Sequence, residues 1–356
     1  MAKELMKGNE AIALAAIKGG ADVFFGYPIT PQSEVPEYLS TAMLEHGRKF
    51  VQGESEVASI NMIYGAAGAG ARAMTSSSSP GIALMQEGMT YLAGAQLPCL
   101  IINMMRGGPG LGSIQPSQGD YFQATRGGGN GDYRLIVYAP SSIQEAINLT
   151  MNAFDVAEHW RNPVMVLCDG LIGQMMEAVE FPEYKKPNTG VDKKTYCTLG
   201  TKNHDDGPHT VNSLYLDAND LHNHNVLLHN KYKKIEQEEV KVEKSPNVED
   251  AELVVVAYGT MARIAKTAIE KVNAAGHKVG MIRPITLWPY PYNAFDNLKA
   301  KNYLVCEMSM GQMIDDVKIA TRGSTAPDHF FGKAGGVIPE VEEVEAQILN
   351  ILKGGK

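Results

Sequence analysis

Apolar and polar positions along this chain follow two periods, and the switches between them mark the elements. Short apolar runs bounded by polar or glycine-rich positions predict buried strands at 22–27, 72–75, 99–104, 134–139 and 163–168. Segments between them predict helices at 9–18, 37–44, 54–71, 82–92 and 142–160. Gly19-Gly20 closes the first of these, and Ser141-Ser142 with Glu145 is a capping signal for the last. From about 175 to 248 the pattern fades and Lys, Asp, His and Asn dominate. The one regular element predicted there is a helix near 219–242, with Lys231, Lys233 and Lys234 followed by Glu236, Glu238 and Glu239 on a solvated face. Alternation resumes with strands at 253–258, 279–284 and 302–307, a helix at 262–275 and a final helix at 340–352. This is the pattern of an α/β fold with two parallel-sheet domains, 1–175 and 249–356, joined by a polar connector at 176–248. No period of 20 to 50 residues repeats, which excludes a solenoid.

Composition narrows the partners. The chain has 356 residues, 44% hydrophobic and 20% charged, enough for two cores. A net charge of −8 and a pI near 5.6 argue against nucleic acid or an anionic membrane as a partner. No stretch reaches the roughly 18 apolar residues of a membrane span, and the expected location is the cytoplasm. The four cysteines, Cys99, Cys168, Cys197 and Cys306, form no Cys-x-x-Cys pair, so the sequence offers neither a zinc ribbon nor an iron–sulfur motif. They read as reduced core thiols.

Four stretches carry candidate chemistry, all following predicted strands. Tyr27-Pro28-Ile29-Thr30-Pro31 is a proline-stiffened turn that would present Thr30 at the carboxyl end of a strand, where open α/β sheets bind ligands. It equally reads as strand-to-helix punctuation. Glu54 and Glu56 open a helix, either as acids favoured by its dipole or as a buried carboxylate awaiting a cofactor. Later in that helix Gly65, Ala66, Gly68 and Ala69 predict close approach of another backbone. Thr75 to Gly81 supplies hydroxyls and free amides suited to an anion or a polar ring, though four serines are also ordinary loop composition. It lacks the Gly-Lys-Ser/Thr of a P-loop, and no G-x-G-x-x-G sits between strand and helix. Arg106 opens the loop Arg106-Gly107-Gly108-Pro109-Gly110, where its fork matches a carboxylate bidentately, the alternative being a solvated loop arginine. His204, His209, His222, His224 and His229 cluster in the connector as solvated loop histidines, with His222-x-His224 as a possible metal pair.

In this order and spacing the four stretches, with Arg283-Pro284-Ile285-Thr286-Leu287-Trp288-Pro289 further on, resemble the α subunit of the 2-oxoacid:ferredoxin oxidoreductases, nearest the branched-chain (2-oxoisovalerate) type. The resemblance spans nearly the whole chain. It implies a domain that holds the aminopyrimidine of thiamine diphosphate, followed by a transketolase C-terminal-like domain. By motif, Glu56 bonds the pyrimidine N1′, with Glu54 as the fallback, Thr30 bonds the substrate, and Arg106 orients its carboxylate. Tyr27, Pro28, Ile29, Ser77 and Ser78 line the ring. The resemblance also implies a β subunit holding the diphosphate and Mg²⁺, a γ subunit, a ferredoxin-type subunit with [4Fe-4S] clusters, an external ferredoxin, and coenzyme A as co-substrate. Cys168-Asp169-Gly170 lacks the first glycine and the later asparagine pair of a diphosphate motif, which assigns Mg²⁺ to a partner and no metal to this chain. Where 2-oxoglutarate-type relatives show Gly-Leu-Pro-Thr, this chain reads Gly112-Ser113-Ile114-Gln115-Pro116, which favours an aliphatic oxo acid over 2-oxoglutarate. A lipoamide-linked thiamine dehydrogenase subunit and a non-catalytic scaffold are the competing readings.

Overall fold

The computed structural model describes residues 3–200, 207–322 and 324–355. Seven strands form the first sheet, in the order Thr286–Trp288, Ile136–Tyr138, Val164–Asp169, Leu100–Met105, Ala73–Ser77, Val23–Gly26 and Lys49–Gln52. All pairings are parallel except that of Thr286–Trp288 with Ile136–Tyr138. Side chains alternate across the sheet, as pleating requires. Leu100, Ile102, Met104, Val164 and Val166 face a core with the helices Gly8–Lys18, Glu34–Glu45 and Ile143–Trp160. Ile101, Met105, Met165 and Leu167 face the opposite way, onto the helices Glu56–Gly68 and Ser79–Gly94.

The second sheet runs Asp328–Gly332, Asn302–Glu307, Leu253–Val256, Val279–Pro284 and Val242–Lys244, the last antiparallel. Leu253, Val255, Leu304 and Cys306 pack on the helices Gly259–Ala274 and Val341–Leu352. Val254, Val256 and Val305 on the other face merge with Ile101 and Met165 of the first sheet into one core. The sheets also exchange edges: Val242–Lys244 completes the second sheet, while Thr286–Trp288 returns to the first.

The connector is more structured than its hydropathy predicts. Met176–Val179 pairs antiparallel with Glu4–Lys7, and helix Ala218–Glu238 buries Leu228, Tyr232 and Ile235 in the first core. Polar bonds tie down the rest. Buried Arg72 donates to both carboxylate oxygens of Glu158 at 2.8 Å, to Asp155 at 2.6 Å and to the Tyr184 hydroxyl at 2.6 Å, and Lys193 pairs with Glu158 at 2.6 Å. The solvated lysine face is corrected at Lys231, whose ammonium donates to the Arg161 carbonyl at 3.1 Å beneath that helix. His224 bonds the Gly94 carbonyl and stacks on Tyr215, His209 reaches the Cys197 carbonyl, and His204 lies outside the described residues. All four cysteines are free, buried thiols.

Candidate active site

Sheet topology places the site. From Val23–Gly26 the chain crosses to one side for Lys49–Gln52 and to the other for Ala73–Ser77, so the strand order reverses there. Crevices at such switch points bind ligands beyond the strands' carboxyl ends. The turn after Gly26 is fastened from below. Buried Gln32 donates to the Tyr27 carbonyl at 3.1 Å and accepts from the Ser76 hydroxyl at 2.6 Å. The Pro31 carbonyl accepts amide bonds from Asn9 and Gln174, each 2.8 Å. Glu34, which opens the next helix, pairs with Lys7 and accepts from Asn9 at 2.7 Å. Burial opposes its ionisation, but bonds from Lys7, the main chain, Asn9 and Gln174 outweigh it and hold the carboxyl below its ordinary range. The opposite side of the turn stays open, with Tyr27, Pro28 and Thr30 exposed and Ile29 half-buried.

Glu56 is the first residue of its helix, and the Ser55 hydroxyl caps it by accepting from the Ala58 amide at 3.2 Å. Glu54 precedes the cap and is exposed, so only Glu56 is the buried acid. Its carboxylate lies over Gly81: a β-carbon built there would stand 2.5 Å from Oε1 and 2.1 Å from the Ser77 hydroxyl oxygen. The Ser77 hydroxyl is buried beside it, and it and its sequence neighbours, the buried hydroxyls of Thr75 and Ser78, have no hydrogen-bond partner among the described residues. Buried polar groups are normally satisfied, so this row of hydroxyls beside a carboxylate fits a polar ring such as an aminopyrimidine. The close approach predicted at Gly65 is not seen among the described residues, where nothing lies within 4 Å of a β-carbon built there. This helix packs tightly instead through Ile60, whose side chain would stand 2.5 Å from a β-carbon built on Gly88 of the neighbouring helix.

Arg106 is 7% exposed, not a solvated loop residue. Its two terminal nitrogens donate to the carbonyls of Thr30 and Leu111, each at 2.9 Å, which joins the Thr30 turn to the glycine-rich loop. Nε is buried without a partner among the described residues and remains as a donor. Within the loop Gly112 has φ +61°, and a β-carbon there would overlap the Gly107 carbonyl at 1.8 Å, so only glycine closes this turn. Sequence reasoning missed Asn103 and Asp120 behind Arg106, which meet there Ser79 of the predicted serine stretch. The signals were a polar residue inside the buried run Leu100–Met105 and an acid closing a Gly/Pro/Ser loop. Asp120 accepts from Ser79 at 2.5 Å and from Asn103 at 2.9 Å, and burial raises its carboxyl above the ordinary range against those two bonds.

The second sheet seals the far side. Asp169 at the end of its strand accepts from the Thr260 amide at 2.8 Å and hydroxyl at 2.6 Å, so this fully buried carboxylate is engaged within the chain. Gln118 donates to the Tyr258 carbonyl at 2.8 Å and accepts from the Met308 amide at 3.0 Å. Gly335 and Gly336 lie against Gly107. Among the described residues no group of three or more His, Cys, Asp or Glu could hold a metal ion, and no helix is long and apolar enough to cross a membrane.

An acid over a glycine, buried free hydroxyls and an arginine at the switch point of a parallel sheet define a cofactor-binding α/β protein. Residues 14–244 match the thiamine diphosphate-binding domain of pyruvate flavodoxin/ferredoxin oxidoreductases, and 251–344 match core domain II of pyruvate:ferredoxin oxidoreductase. The chain belongs to this oxidoreductase family. It is 45% identical to ketoisovalerate oxidoreductase subunit VorB of Methanothermobacter thermautotrophicus, over 99% of this chain and 98% of that protein. It is 36% identical to 2-oxoglutarate synthase subunit KorA of Methanocaldococcus jannaschii, over 98% of this chain and all of that one. Among solved structures, 2-oxoglutarate:ferredoxin oxidoreductase from Magnetococcus marinus, with 2-oxoglutarate, coenzyme A and succinyl-CoA bound, superposes with a TM-score of 0.87 at 26% identity, covering 98% of this chain and 65% of that one. A split-gene transketolase, at 13% identity and a TM-score of 0.60 over 99% of each chain, shares the fold.

Proposed function

We propose that this chain is the α subunit of a 2-oxo acid:ferredoxin oxidoreductase that converts 2-oxoisovalerate and coenzyme A to acyl-CoA and CO₂ and passes two electrons to ferredoxin. The observation that carries the reading is the convergence of Glu56, the unpaired hydroxyls of Ser77 and Ser78, and Arg106 on one switch point. When bound, thiamine diphosphate supplies the electron sink for decarboxylation. Glu56 holds a proton at the pyrimidine N1′, and the hydroxyls with Tyr27, Pro28 and Ile29 line the ring. Thr30 faces the substrate, and the free Nε of Arg106 meets its carboxylate.

The substrate follows from charge. A second carboxylate, as in 2-oxoglutarate, needs a second cation, and residues 107–120 contain no lysine or arginine. Leu111 and Ile114 in that loop are exposed and apolar, which suits a branched aliphatic chain. The similarity to the ketoisovalerate enzyme, 45% against 36% for the 2-oxoglutarate one, points the same way.

Partners complete the enzyme. A β subunit supplies the diphosphate and Mg²⁺ half-site, which is consistent with an Asp169 already committed to Thr260. A γ subunit and a ferredoxin-type subunit carry [4Fe-4S] clusters that reduce an external ferredoxin in the cytoplasm. Exposed Val57, Gly65 and Leu84 suit such a partner. Residues 1–175 act as the pyrimidine-binding domain, 176–248 as a connector and 249–356 as the transketolase C-terminal-like domain. The test is turnover of the complex, assembled with its neighbouring subunits, on 2-oxoisovalerate, 2-oxoglutarate and pyruvate with coenzyme A and methyl viologen. The expected result is the highest kcat/KM with 2-oxoisovalerate. Preference for 2-oxoglutarate overturns the substrate, and no reduction with any of the three overturns the activity.

A further inference from the structure

We propose that Asp120 is a positioning residue of this site, holding Arg106 in place through Ser79. The proposal rests on Arg106 being the group that meets the substrate carboxylate. Among the described residues no cation pairs with Asp120, and the terminal nitrogens of Arg106 are spent on the carbonyls of Thr30 and Leu111. What it holds instead is a hydroxyl. Ser79 donates to Asp120 Oδ2 at 2.5 Å and accepts from the Arg106 amide at 3.0 Å.

A hydroxyl has a single hydrogen. With that hydrogen given to Asp120, the Ser79 lone pairs face the Arg106 amide. Without the carboxyl group the hydrogen has another acceptor ready, the Arg106 carbonyl at 3.3 Å, and the lone pairs turn from the amide. Asp120 therefore sets the direction of the Ser79 hydroxyl, and the hydroxyl sets the main chain from which the guanidinium extends. Asn103 locks the arrangement by donating to the same Oδ2 at 2.9 Å.

Two polar atoms unpaired among the described residues, Asn103 Oδ1 and Arg106 Nε, belong to this cluster, and both are buried. Ser79 also shares its helical turn with Gly81, on which the Glu56 carboxylate rests. One turn thus aligns the acid at one end of the pocket and the arginine at the other, with Asp120 its anchor from behind. Burial raises the Asp120 carboxyl, but Oδ2 can accept both bonds whether or not Oδ1 carries a proton.

The test uses the assembled complex with Asp120→Ala, Ser79→Ala, the double variant and Asp120→Asn, reading KM and kcat for the oxo acid and hydrogen exchange of peptides covering 104–116. Each alanine variant is expected to raise KM about tenfold, with a smaller change in kcat, and to speed exchange in 104–116. Since both act on one chain of bonds, the double variant is expected to be no worse than the poorer single. Asp120→Asn, whose amide carbonyl can accept both bonds, recovers most of the loss. Unchanged KM and exchange in the alanine variants, or effects that multiply in the double variant, overturn the proposal. If Asp120→Ala does not assemble, Ser79→Ala and Asp120→Asn decide it. A parent complex that turns over no oxo acid defeats the functional reading, while exchange at 104–116 still decides whether Asp120 positions Arg106.

Discussion

Glu56 and Gly81 are in contact across two helix starts, with Oε1 of the acid 2.5 Å from where a β-carbon on Gly81 would stand. That carbon would also lie 2.1 Å from the Ser77 hydroxyl oxygen, so a single added methyl displaces both groups assigned to the pyrimidine ring. Overpacking of this kind costs about 1–3 kcal/mol, borne here by the pocket. Gly81→Ala is therefore expected to weaken thiamine diphosphate binding to the assembled complex by about tenfold or more, measured by calorimetric titration. Unaltered affinity would show that Glu56 and Ser77 do not shape the cofactor site.

Arg72 lies at the other end of the sheet, buried between Asp155 and Glu158. Removing it leaves two carboxylates buried, with Lys193 still paired to Glu158. Breaking a buried pair on one side costs about 3–5 kcal/mol. Arg72→Leu is expected to lower stability by that amount in urea unfolding, and to release the connector at Tyr184 so that proteolysis near 184 becomes faster. A loss below about 1 kcal/mol would mean the network contributes little.

Lys231 gives a pH dependence with a definite sign. Burial, reinforced by the charge of Arg161, pushes its ammonium down to about 7 from an ordinary 10.5. Between these values the unfolded chain binds more protons than the folded one. Stability therefore rises with pH through that window, by at most about 1.4 kcal/mol per pH unit. Below the folded value both states are protonated and the burial cost is constant. Lys231→Met is expected to be more stable than the parent near neutral pH, with the advantage shrinking toward about pH 10, followed by denaturant unfolding at several pH values. An advantage independent of pH would contradict this assignment.

Central strands are legible in the sequence because burial on both faces gives continuous apolar runs, as at Leu100–Met105 and Val164–Asp169. Lys49–Gln52 is not, being a short, largely exposed edge strand. Helix Met313–Ala320 is hidden for another reason: its amino end is satisfied by Glu307, which accepts from the amides of Gln312, Met313 and Ile314. A cap supplied from a preceding strand leaves Gln312, not a Ser or Asp, at the N-cap position. The connector is fastened by Arg72, Lys193 and Tyr184, whose role depends on partners far away in sequence. In the site, Thr30, Glu56 and Arg106 stand out because each follows a strand, whereas the direction of the Ser79 hydroxyl becomes visible only when Asp120 folds back against it.

The exchanged edge strands bear on how the molecule comes apart. A cut near 248 would leave the first fragment without Thr286–Trp288 and the second without Val242–Lys244, exposing a raw sheet edge on each. The two halves are thus laced together at their margins as well as through a shared core. They should melt as one cooperative unit, and a gene encoding either half alone would yield a protein prone to pair its bare edge with a neighbour.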